Sequence, residues 1–524
     1  MAVNVPGLAA VMVFYIVILV IGIWASRKSK KVEKTCAGTK SEVAIVGGRN
    51  ISVLVGVFTM TATWVGGGYI LGTAEAVYSP SQGLIWAMGP PAYLTNFVLG
   101  GLFFAKPMRS KRYVTMLDPF QHRYGNMLTA TLLLPALMSD ILWVACILAA
   151  LGGTMSVILG LSSALSIVIS AGVSITYTFL GGFYSVAYTD IIQLSFIFVS
   201  LWLCIPFLLL SPAVADVSHT INLNQTIGTS WVGELKLEDA GKWADEMLLL
   251  ALGGLAYQAL YQRILSAASS AQAQVTCFAA AGSVFIMGIP SVIIGAVAST
   301  ADWNQTAYGL PPPFERGEAG KILPLALQHL TPTWLSVLGI GSVAAAVMSS
   351  MDSVLLSSAS MFTQNIYKTT LRKQASEREL QWVIRISVLV VGLAGTGLAF
   401  GDDSVFGLWL VSGDLLYCVL FPQLICVLHC GFANSYGAFS GFTMGLLLRA
   451  LSGEPLLGIP CCHPVPQLEG GVIAVSWLVQ LGFYHKLIPQ SWDLLGAFEE
   501  KTKGQEEEVP VPLEEKNNIL NTKL

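Results

Sequence analysis

Apolar residues occur along this chain in long blocks of about 20–25, separated by short polar stretches. Blocks begin near Leu8, Ser52, Gly83, Leu128, Ala164, Ile191, Met247, Cys277, Pro324, Trp382, Val405, Tyr436 and Gly471. Each is long enough to cross a bilayer, so the pattern predicts an all-α polytopic membrane protein with about thirteen transmembrane helices. The first block, residues 8–25, ends in Arg27, Lys28, Lys30 and Lys31 without a convincing cleavage site, and reads as a membrane helix rather than a removable signal. The blocks make one transmembrane domain over residues 1–489. Residues 490–524 are polar and acidic and read as a disordered cytoplasmic tail. In that tail, Glu515 followed by Ile519 and Leu520 resembles an acidic dileucine signal for an endocytic adaptor, with an ordinary polar tail as the alternative.

The polar stretches set the orientation. Basic clusters at residues 27–34, 106–112 and 368–378 all follow odd-numbered spans, which places the N-terminus outside and the C-terminus in the cytoplasm. Glycosylation sequons at Asn224 and Asn304 fall in gaps assigned to the outside, in agreement with the charge bias.

Composition sharpens the class. Charged residues are 11% of the 524, against about 25% in a soluble domain, so a cytosolic globular enzyme is excluded. A net charge of −3 gives no support to nucleic-acid binding. Six of the nine cysteines (Cys146, Cys204, Cys277, Cys418, Cys426 and Cys430) lie in or beside apolar blocks and read as small core residues. Cys461, Cys462 and His463 cluster in a loop, but no second ligand pair is spaced to complete a metal site.

Two spans are interrupted. Span two carries Gly66, Gly67 and Gly68 in mid-membrane, and span seven carries Gly253 and Gly254. Glycines there favour either close helix packing or unwinding, and unwound backbone survives at that depth only where it lines a cavity or binds a ligand. The two spans are five apart, as in two inverted five-helix repeats (about residues 52–210 and 240–430), and paired broken helices mark the sites of secondary transporters. Span nine adds Ser349, Ser350, Asp352 and Ser353 inside an apolar helix. A carboxylate at that depth costs at least about 2.5–3.5 kcal/mol and calls for a cation or a proton. Hydroxyls, a carboxylate and freed carbonyls are hard oxygen donors of the kind sodium binds, although serines also back-bond to their own helix. Asp190, taken as the start of span six, reads equally as an N-cap anion. Aromatics flank both breaks: Trp64 and Tyr257, with Tyr93, Trp143 and Tyr177 on neighbouring spans. Membrane aromatics mostly pack, but several rings facing one cavity would hold a quaternary ammonium by cation–π attraction. No ring of charges or carbonyls of the kind that lines a channel is visible.

The segments GGFYSVAYTDIIQ and AVMSSMDSVLLSSASMFTQNIY resemble the sodium:solute symporter family. That resemblance implies a leucine-transporter-type inverted repeat with an extra N-terminal helix, and a secondary transporter rather than an enzyme. The blocks IVGGRN, FTMTATWVGGGYI, GGLFFAKPMRSKRYVTMLDPFQ and TADWNQTAYGLP are similar to its choline-carrying members, to about Pro455. They imply sodium- and chloride-dependent choline uptake at the plasma membrane of cholinergic nerve terminals, feeding acetylcholine synthesis, with no organic cofactor and possible homo-oligomers. Carried over by position, the sodium site falls on the carbonyls of Ala62, Val65 and Ala346 and the hydroxyls of Ser349 and Ser350. Asp352 belongs to a further sodium site, and Asp190 matches an acidic residue of the family. The cage falls on Trp64, Tyr93, Trp143, Tyr177 and Tyr257. Three positions depart from the pattern: Tyr257 replaces tryptophan, Leu71 asparagine and Asn50 aspartate. Tyr257 and Leu71 keep open one alternative, a transport-deficient amine sensor; the other, a sodium symporter for another small solute, finds mainly Gln258 and aromatics at mid-membrane where a sugar would need a ring of polar partners.

Overall fold

A computed structural model describes residues 12–13, 16–18, 20–25, 27, 39–159, 162–215, 217, 230–401 and 405–451. The described residues form helices and loops, with two isolated β-bridges and no strand. In chain order the helices that matter are α1 (Lys40–Val46), α2 (Val53–Trp64), α3 (Gly67–Tyr78), α4 (Gly89–Leu99), α5 (Asp118–Leu159), α6 (Ser163–Gly181) and α7 (Phe183–Leu209). They continue with α8 (Leu237–Ala256), α9 (Gln258–Ser266), α10 (Ser270–Thr300), α11 (Ile322–Leu330), α12 (Thr333–Met361), α13 (Glu377–Leu398), α14 (Val405–Leu415) and α15 (Ser435–Leu451).

Among the described residues, six helices are long and apolar enough to cross a membrane, and eight if each of two bent pairs counts as one span. The bent pairs are α2 with α3, at 52°, and α8 with α9, at 48°. This is a multi-pass membrane protein. The outer helices turn apolar side chains outward: Ile386, Val390 and Leu393 of α13 are all more than half exposed, which suits lipid. By contrast α12 is buried almost throughout from Val343 to Met361 and packs against α5 and α7, so it is the central strut. The first expected span is described only in pieces, and the last, from Gly471, lies outside the described residues with the tail signal at Glu515, Ile519 and Leu520, Asn224, and the Cys461–Cys462–His463 group.

Helix starts follow local chemistry. The Ser52, Ser162 and Ser269 side chains each accept a backbone N–H in the first turn of the helix they precede, and Ser376 forms a capping box with Glu379. Two starts differ from the sequence reading. Span six begins at Phe183, after Gly182 (φ 79°), and not near Ile191. The polar run before Ile191 looked like a lead-in, yet Thr189, Asp190 and Gln193 are fully buried inside the bundle. Asp190 therefore sits two turns into α7, and the N-cap reading is wrong. Span nine begins at Thr333 rather than Pro324, because Pro332, which has no N–H, ends the separate helix α11 and starts α12.

Loops gather at two ends. At one, Arg49 donates to the carbonyls of Arg112 (2.8 Å) and Tyr113 (3.0 Å), Arg109 to that of Ala267 (2.7 Å), and Ser41 N–H to Glu377 (2.7 Å). The basic clusters at 106–112 and 368–378 thus share a face. At the other end, Leu84 N–H bonds Trp231 O (2.8 Å) and Asp302 N–H bonds Ala213 O (2.8 Å), and Asn304 is exposed beside them.

Candidate functional site

The chain leaves helical geometry between α2 and α3 at Val65 (φ −81°, ψ 62°) and Gly66 (φ −106°, ψ −166°). Only one glycine of the triplet belongs to the break. A Cβ on Gly66 would lie 2.7 Å from Ser350 Cβ and collide with its hydroxyl, so glycine here lets α12 touch the unwound backbone. Gly67 and Gly68 begin α3 and serve packing, against Ala150 and Trp409. In the second interrupted span the break is not at the glycine pair. Gly253 is helical and packs on Tyr417, Gly254 packs on Asn96, and the chain turns at Tyr257 (φ −80°, ψ 129°). Small residues there allow close approach, and the extended residue follows them.

The expected sodium residues fall into three groups. Ala62, Val65 and Ala346 are fully buried at the first break, where Ser350 Oγ donates to Thr63 O at 2.8 Å. Ser349 turns the other way and donates to Asp190 Oδ1 at 2.5 Å, while Thr59 donates to Asp190 Oδ2. Asp352 carries its carboxylate to α6, where Thr178 Oγ1 donates at 2.7 Å. The first two groups lie where α2, α7 and α12 meet, and the third lies between α12 and α6.

One partner went unnoticed in the sequence. Arg263, fully buried on α9, lies 3.7 Å from Asp190 Oδ2, donates to Ser353 Oγ, and donates to Gln262 Oε1 at 3.0 Å. The pair bridges the second half of a broken span to the unbroken α7. It sits in the stretch YQRILSAA, past the glycine pair of span seven, where the sequence reading singled out no residue.

The rings converge. Trp64 lies 6.4 Å from Tyr93 and 6.0 Å from Trp143, and Trp143 lies 4.6 Å from Tyr257, all in tilted or edge geometry. The four are 2–7% exposed, so the cluster is closed from both ends of the bundle. Tyr177 is on α6, and its side chain lies outside the described residues. Trp409 on α14 joins the cluster: it donates to Tyr93 OH at 2.7 Å and lies edge-on to that ring. It was missed because its partner, Tyr93, is more than 300 residues away in the chain. Tyr257 spends its extra hydroxyl on Ser412 (3.3 Å) and Ser139 (3.4 Å), which fixes the ring. Of the other two departures, Leu71 is fully buried on α3, whereas Asn50 is exposed at the basic end.

Residues 45–445 match the sodium:solute symporter family. The chain is 52% identical over 457 residues to the High affinity choline transporter 1 of Homo sapiens, covering 87% of this chain and 78% of that protein. It is 42% identical over 511 residues to the High-affinity choline transporter 1 of Drosophila melanogaster, covering 94% of this chain and 81% of that protein. Its fold is similar to that of a Na+-coupled sialic acid symporter solved in a substrate-bound outward-open state, with TM-score 0.68 and 17% identity over 92% of this chain and 98% of that one.

Proposed function

Because this chain belongs to the sodium:solute symporter family, and so to secondary transporters rather than enzymes, we propose that it carries choline inward, driven by sodium. The observation that carries this reading is the ring cluster. Four aromatic side chains from both broken spans and their neighbours meet around one point, and a quaternary ammonium, which donates no hydrogen bond, is held best by ring faces. The choline transporters at 42–52% identity support the same substrate. The buried oxygens supply the ion half: sodium would bind between the first break and α12, on Ala62, Val65, Ala346 and Ser350, with Ser349 joining them by leaving Asp190, and with Asp352 and Asp190 in further sites. Each inward charge gains about 2.3 kcal/mol per 100 mV of membrane potential, which suffices to accumulate a cation together with sodium.

The mechanism is alternating access. The rings open to one side at a time as the half-helices α2–α3 and α8–α9 pivot at Val65–Gly66 and Tyr257. Bound sodium ties α2 to α12 and so favours the choline-binding state. The proposal includes two inverted five-helix repeats within residues 1–489, chloride dependence, plasma-membrane residence with the N-terminus outside, glycosylation at Asn304 and Asn224, and supply of choline for acetylcholine synthesis.

The test is radiolabelled choline uptake into cells expressing this chain, in sodium or lithium, in chloride or gluconate, with and without a quaternary-ammonium competitor. Uptake is expected only in sodium and only without competitor. Equal uptake in lithium would end the coupling claim, and surface protein that binds choline without accumulating it would leave a sensor. Tyr257→Trp tests the main departure. A larger π-face is expected to lower the choline concentration for half-maximal uptake several-fold, about 1 kcal/mol. An unchanged value would remove residue 257 from the cage.

A further inference from the structure

Three carboxylates among the described residues are 2% exposed or less: Asp140, Asp190 and Asp352. Asp190 has the guanidinium of Arg263 at 3.7 Å. Asp352 lies on the serine-rich face of α12 where the sodium reading places an ion. Asp140 has no basic side chain paired with it among the described residues. A single hydroxyl reaches it, Ser358 Oγ, 2.6 Å from Oδ2, and that hydroxyl also lies 2.7 Å from Val354 O, so its one proton is shared. A carboxylate so placed in the membrane calls for a proton or for a cation from elsewhere.

Its neighbours say which. On α5, the preceding residue Ser139 touches the Tyr257 hydroxyl, and Trp143, one turn further on, is the ring that meets both Trp64 and Tyr257. On the helical wheel Trp143 falls between Ser139 and Asp140, so the carboxylate flanks the ring cluster. The rings are neutral and, by themselves, pull a cation only through their quadrupoles.

We infer that Asp140 is the counter-charge of the transported ammonium: a specificity-determining carboxylate beside the cage that selects a cationic substrate over a neutral one of the same shape. This rests on the choline reading above. With it each buried carboxylate has a counter-charge, Arg263 beside Asp190, sodium at Asp352 and the substrate at Asp140, so that an ionised Asp140 favours a cationic passenger over a neutral one.

The deciding experiment compares choline with 3,3-dimethylbutan-1-ol, the uncharged carbon isostere, as competitors of labelled choline in whole cells expressing the full chain. In Asp140→Asn, half-saturation by choline should rise at least tenfold while inhibition by the isostere changes less than twofold, and Asp140→Glu should recover most of the preference. Equal weakening of both compounds would mean a structural role, and an unchanged choline constant would mean no role; either overturns the inference. If Asp140→Asn does not reach the surface, Ser358→Ala decides. It leaves the charge and removes its hydrogen bond, so choline should bind at least as tightly, and a tenfold loss for both compounds would overturn the inference. Absence of sodium-driven uptake by the unaltered chain would instead defeat the choline reading itself.

Discussion

Arg263→Met is expected to be among the most damaging single changes outside the ring cluster. It leaves the Asp190 carboxylate buried beside Ser349 and Thr59 with no guanidinium, and breaking a buried pair from one side costs about 3–5 kcal/mol. The expected result is a large loss of folded protein at the surface, with a lowered unfolding temperature for what remains. Asp190→Asn in the same chain removes the orphaned charge and should restore most of the folded protein. The cycle then separates two roles of one residue. If Asp190 also holds sodium, the double variant should be present at the surface and still fail in sodium-driven uptake. A double variant as unstable as Arg263→Met alone would show that the ion pair is not what Arg263 supplies, and full sodium-driven uptake by the double variant would take Asp190 out of the ion site.

Trp64→Ala should remove most transport in the protein that reaches the surface, and the cavity it leaves should also cost about 3–5 kcal/mol of stability. Trp64 touches Tyr93, Phe97 and Trp143 at once, so its ring is the hub through which the other faces meet. A desolvated cation–π contact contributes about 2 kcal/mol, which corresponds to about thirtyfold in affinity, and the slackened neighbours add to that. Choline half-saturation is expected to rise by thirtyfold or more, whereas Trp64→Phe, which keeps a face of lower polarity, should fall between. Surface protein is measured in parallel by biotinylation. Wild-type affinity in Trp64→Ala would remove the cage from the substrate site.

The architecture was legible in sequence wherever one signal dominated. Long apolar blocks marked the membrane helices, of which six to eight of the thirteen expected spans are found among the described residues, the basic clusters at 106–112 and 368–378 share one end, and Ser349, Ser350 and Asp352 are as deeply buried as their apolar surroundings suggested. Misreadings arose where two causes give one pattern. Glycine serves both unwinding and close packing, and periodicity does not separate them: Gly66 lies in a break, Gly67 and Gly68 pack, and at Gly253–Gly254 the break falls three residues later at Tyr257. The start of α7 was placed late because polar residues that face a buried site look, in one dimension, like residues that face water. Arg263 and Trp409 were missed for a different reason. Their meaning comes from partners more than 70 and 300 residues away, Asp190 and Tyr93, and no local feature announces a contact of that range.

The closed ring cluster also dictates how the protein behaves as an electrical element. With Trp64, Tyr93, Trp143 and Tyr257 almost wholly shielded from both ends, no continuous water path joins the two solutions through them. Under the alternating access proposed for it, current through the protein is a sum of discrete reorientations on the microsecond-to-second scale of helix and gate motions, and not a stream of ions. Its fluctuations should correspond to a few charges per event, and warming should raise it as steeply as a conformational rate rather than as gently as the viscosity of water.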